Sequence, residues 1–156
     1  MAVLKRAALI DVGLVLSLVL LALLGYQLAP VLLPAADVTI PSPVGCDLNQ
    51  THCIVPLPGN GQLRFSLEPR PIAAVVPLQA SVTLEGLTAE RVVLDFAGVD
   101  MAMGLNRAPL ALSAGRFAGT VTLPVCVTGR MAWRATVIVE SGRQRIAVPF
   151  IFEVGQ

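Results

Sequence analysis

Gln62-Leu-Arg-Phe-Ser-Leu-Glu68 alternates apolar and polar residues without a break, and its reading decides the fold. Leu63, Phe65 and Leu67 fall on one face and Gln62, Arg64, Ser66 and Glu68 on the other, the period-two mark of a half-buried strand. Similar stretches follow at 78–84, 91–96, 110–113, 117–123, 133–140 and 145–152, separated by Gly, Pro, Asn and Ser. No segment in this region keeps helical periodicity over three turns. About seven short strands in this order predict an all-β, immunoglobulin-like antiparallel sandwich over residues 61–156.

The chain before it is of another kind. Between residues 7 and 33 only Asp11 is charged, and 12–28, VGLVLSLVLLALLGYQL, is almost wholly apolar. A bilayer core about 30 Å thick takes roughly 20 residues at helical rise, so one transmembrane helix is expected over 9–33. Asp11 falls near its cytoplasmic end, where a carboxylate reaches the headgroups; its functional alternative is an intramembrane contact with a partner helix. Lys5 and Arg6 lie in the preceding segment 1–8, and the positive-inside rule keeps that segment in the cytoplasm. A secretory signal peptide is the alternative, since Lys5 and Arg6 resemble a charged n-region and Pro34-Ala35-Ala36 is rich in small residues. A signal h-region is about 7–15 residues, shorter than this run, and no clean small-x-small site follows, which favours a retained anchor. The expected location is the inner (cytoplasmic) membrane, single-pass, with the C-terminal domain periplasmic. Prolines 30, 34, 41 and 43 make 34–60 a proline-rich linker and cysteine loop.

Eleven Lys+Arg against ten Asp+Glu leave a net charge of +1, and the arginines are scattered. Nucleic-acid binding requires a clustered basic face, so it is not expected. The single histidine, His52, supports no Ser-His-Asp arrangement, and neither a Gly-rich phosphate loop nor a His-Glu-x-x-His motif occurs. The chain is not expected to be an enzyme.

Soft side chains carry the remaining chemistry. Cys46 and Cys53 bracket Asp-Leu-Asn-Gln-Thr-His, a loop of turn formers, and in an oxidising compartment such a pair forms a disulfide that pins the linker to the domain. The functional alternative is a redox-labile or copper-binding pair assisted by His52, since thiolate and imidazole both suit copper. Met101-Ala-Met103 places two thioethers on one side of an extended segment about 6–7 Å apart, where they can converge on Cu(I). Two thioethers bind weakly, so Cys126 or Met131 has to complete the site. Met101, Met103 and Cys126 are therefore the candidate ligands, with Met131 and His52 as further ones. The alternative is packing: Met and free Cys are common core fillers.

These residues carry a resemblance. The run from Val93 to Leu110, containing Asp100-Met-Ala-Met103, is followed by Gly115-Arg-Phe-Ala-Gly119 and by Leu123-Pro-Val-Cys-Val-Thr-Gly-Arg-Met-Ala-Trp133. In order and spacing it resembles the FixH/YtkA-like group of membrane-anchored domains, over about the last 70 residues. The resemblance implies an immunoglobulin-like extracytoplasmic domain linked to respiratory oxidase assembly and, for some relatives, to copper handling. Trp133 then corresponds to the core tryptophan of the sandwich. Cys46, Cys53 and Cys126 depart from the group's pattern, and its His-rich copper motifs are missing from this sequence.

Two functions follow as expectations. The first is an accessory or assembly factor for a heme-copper oxidase that works through copper, with the lipid membrane, integral-membrane oxidase subunits or a copper chaperone as partners. The second is a purely structural accessory subunit of a membrane complex with no metal site.

Overall fold

A computed structural model describes residues 13–25, 37–100, 106–124 and 130–155. The chain divides into two compact units, Met1–Ala35 and Ala36–Gln156. In the first, residues 13–25 are helical, and Leu14, Leu16, Leu18, Leu21 and Leu24 are 49–65% exposed. The Ser17 hydroxyl donates to Leu14 O at 2.9 Å, so the one polar side chain of this helix is satisfied inside it. Among the described residues no helix is long and apolar enough to cross a membrane. The rest of the expected 9–33 span lies outside the described residues.

The second unit is all β. Its strands are β1 (Asp37–Thr39), β2 (Cys53–Leu57), β3 (Gly61–Glu68), β4 (Leu78–Glu85), β5 (Arg91–Gly98), β6 (Asn106–Ser113), β7 (Arg116–Val121), β8 (Met131–Ser141) and β9 (Gln144–Val154). Each periodic stretch falls on one of β3 to β9. Two further strands, β1 and β2, arise in 34–60, the segment expected to be linker and loop. β1 has only three residues, and it runs parallel to β9. β2 is short and apolar at all five positions (CIVPL), so its sequence shows no apolar–polar alternation, although Cys53, Val55 and Leu57 are buried and Ile54 and Pro56 exposed.

All nine strands form one sheet in the order β1-β9-β8-β5-β6-β7-β4-β3-β2. β6 joins its two halves: Asn106–Leu110 pair with β5, and Ala111–Ser113 pair with β7. Phe65 in β3 and Phe150 in β9 are six strand spacings apart in this order, about 29 Å if the sheet were flat. Their ring centroids lie 5.0 Å apart. The sheet therefore curls on itself, and the inward residues of both halves meet in one core.

Trp133, Phe65, Phe96, Phe150, Leu63 and Leu94 lie at its centre, each no more than 1% exposed. Among the described residues no polar side chain is buried. The β6–β7 turn is a two-residue hairpin loop, Ala114-Gly115, with both φ angles positive (49° and 77°), which suits glycine at the second position.

Strand directions define two ends. The chain enters at Asp37, opposite Arg145 beside the β8–β9 turn. Glu153, eight residues further along β9, lies about 26 Å away at the far end. Gly98, Met131 and Val154 lie at that far end too, through the pairs Gly98↔Trp133 and Met131↔Val154.

Candidate functional site

The far end gathers the loop chemistry. Cys46 and Cys53 are joined by a disulfide, with Cα atoms 5.8 Å apart. Cys53 opens β2 and is 1% exposed, while Cys46 is half-buried and packs against the edge of the core. Both sulfurs are oxidised, so neither is a thiolate donor for copper in this form. His52 lies beside them, and its Nε2 accepts from the Arg64 guanidinium at 3.0 Å. That bond uses the Nε2 lone pair, so ligation through this nitrogen has to displace Arg64.

Between the two cysteines Asp47 organises a tight turn. Its carboxylate accepts from Asn49 N–H and from the Gln50 amide, both at 2.9 Å, and its carbonyl accepts from Gln50 N–H and Thr51 N–H. The Asn49 N–H bond, followed by the Gln50 bond, holds the Asp47 carboxyl below its ordinary value of 3.8. Leu48 plugs the core beneath this turn at 0% exposure. Asn49 points the other way, donating from Nδ2 to Glu153 O and accepting at Oδ1 from Ile72 N–H, both at 2.9 Å. One amide thus clamps β9 to the β3–β4 loop, and the parallel bridge Ala73↔Gly155 continues the same seam. Two shallow clefts flank the clamp: one of about 440 Å³ beside Ile72 and Arg130, the other of about 340 Å³ beside Cys46 and Ile151. Asn49 and Glu153 line both.

Of the expected copper ligands, Met101, Met103 and Cys126 lie outside the described residues. Met131 is 5% exposed at the first position of β8, opposite Val154, where it fills the core. Among the described residues no three His, Cys, Asp or Glu side chains are grouped to hold a metal ion. One stem of each segment is joined at the far end: Val99, before 101–105, donates its N–H to the carbonyl of Ala132, after 125–129, at 2.9 Å. Leu123, just before the second segment, accepts from Val75 N–H at 2.9 Å.

Sequence reasoning assigned no role to Asn49. Turn formers mark its loop in the sequence, but its bonding partners are 104 and 23 residues away. Comparison with protein-family models, with curated proteins and with solved structures returns no match for this chain.

Proposed function

We propose that the protein is a membrane-anchored, periplasmic accessory or assembly factor for a respiratory heme-copper oxidase, acting through Cu(I) held by Met101, Met103 and Cys126. The observation that carries this reading is the Val99–Ala132 hydrogen bond, which joins the stem that leads into 101–105 to the stem that leaves 125–129, the two segments bearing the soft donors. Cys126 would supply the anionic sulfur that two thioethers lack. An immunoglobulin-like sandwich is the finer reading of the curled sheet. The Cys46–Cys53 disulfide is in keeping with an oxidising compartment. A helix whose one polar side chain, Ser17, is bonded to its own backbone and whose other residues are apolar, as in 13–25, suits hydrocarbon better than water and supports the anchor.

A purely structural subunit is the second reading, favoured by the burial of Met131 as a core filler. The two separate in an anaerobic competition titration against a Cu(I) chelator. Met101→Leu/Met103→Leu keeps volume and apolarity, and Cys126→Ser removes the thiolate. Copper handling requires both variants to bind at least about tenfold more weakly than wild type, the equivalent of about 1.4 kcal/mol. Equal affinity in all three proteins hands the function to the structural reading.

A further inference from the structure

The loop between Cys46 and Cys53 has a mechanical asymmetry. On its C-terminal side Cys53 begins β2 and pairs with Phe65 in β3. On its N-terminal side the last strand-like bond is Ile40 N–H to Ala147 O, and among the described residues no backbone bond ties 41–46 to a strand. The disulfide is the first anchor after Ile40. Its two sulfurs also differ in access, because Cys53 is 1% exposed while half-buried Cys46 lines the 340 Å³ cleft next to Ile151 and Glu153. Exchange chemistry needs a thiolate to approach one sulfur of the bond, and here that sulfur is Cys46.

We propose that Cys46–Cys53 is a thiol–disulfide exchange site for an external dithiol, and that its opening unlatches the Asn49 clamp. One thiolate of the dithiol attacks Cys46 Sγ, forming a mixed disulfide and expelling Cys53 as a thiolate, which takes up a proton. The second thiol, deprotonated, attacks the dithiol's own sulfur in that mixed disulfide and releases Cys46, which is protonated in turn. Two electrons and two protons pass to the cysteines, and the dithiol closes to a disulfide. Residues 41–49 then lose the cross-link that holds them against the start of β2 and stay joined to it only through the backbone of 50–52. Asn49 lets go of Glu153 O and Ile72 N–H, so the β3–β4 loop and the last residues of β9 loosen together while the centre of the sheet holds.

The test uses the full chain in detergent with Cys126→Ser, which keeps the third thiol out of the exchange. Brief exposure to glutathione followed by acid quench and peptide mapping identifies the sulfur attacked first, and the adduct is expected on Cys46. Hydrogen exchange is then compared with and without dithiothreitol. The expected result is at least a tenfold rise in exchange at the Ile72 amide and across 69–77 and 151–155, with the β5–β8 ladder unchanged. Asn49→Ala should show the same rise without reductant, and dithiothreitol should add little to it. An adduct on Cys53, or no adduct, overturns the exchange site. A rise confined to 46–53, or one that spreads to β5 and β8, overturns the latch.

Discussion

Asp47 accepts from Asn49 N–H and from the Gln50 amide as a carboxylate, and protonation weakens both bonds. Its carboxyl is held below 3.8 by those bonds, so the folded state favours the charged form more than the unfolded chain does. The stability it contributes is fully present above the ordinary aspartate value and is lost as pH falls through the depressed one. Asp47→Ala should cost about 1 kcal/mol near neutral pH, the typical loss of a side-chain cap. In urea melts from pH 7 down to pH 2 the gap between wild type and variant should close only in the acid range. A gap that stays constant would show that the turn does not depend on the charge. The residue types around Asp47 are turn formers, so the loop was legible. Its plug, Leu48, was not, because a single leucine among polar residues carries no periodic signal.

Proline placement shows what pattern reading leaves out among the elements. Pro56 lies in β2, the last strand of the sheet, Pro109 in the part of β6 that pairs only with β5, and Pro149 in β9 beyond the last residue that faces β1. Each therefore sits where its strand lacks a neighbour on one side, the position that tolerates a missing N–H. The transfer of β6 between partners also explains its late recognition. Residues 106–109 carry only Ala108 as an inward apolar side chain, Leu110 is the one buried residue of the strand, and Leu112, two positions on, is 64% exposed. Gly119 marks the transfer point from the other side, since a Cβ there would lie 2.9 Å from Leu110 Cδ2 and 3.5 Å from Pro109 O. Leu110 is 6% exposed and cannot swing into solvent without opening the core. Gly119→Val should therefore destabilise the domain by about 1–3 kcal/mol, the usual cost of overpacking. Chemical denaturation measures it, and Leu110→Ala in the same chain should recover part of the loss. A neutral Gly119→Val would mean that β6 and β7 approach less closely than the structure has them.

Over the whole molecule, the inward and outward faces of the strands are legible in the sequence, and the order in which the strands pair is not. Period-two alternation identifies which residues face inward, and Leu63, Phe65, Leu94, Phe96, Trp133 and Phe150 are all buried. The order in which strands pair depends on contacts between distant parts of the chain: β7 lies next to β4, β8 next to β5, and β9 next to β1. Nothing local in the sequence encodes those pairings, and the disulfide at the far end was predictable only as a short loop, not as the neighbour of β9. Closure is the feature that makes one core out of a nine-stranded sheet, and Phe65 against Phe150 is its most direct measure. A double-mutant cycle with Phe65→Leu and Phe150→Leu keeps both positions apolar and removes only the ring contact. Aromatic pairs in contact couple by about 0.5–1.5 kcal/mol beyond their burial. The two substitutions should thus cost less together than the sum of the single losses, by about that amount. Residues six strands apart in an open sheet would instead add independently, so an additive cycle would overturn the curled arrangement, and with it the single core on which the far end is built.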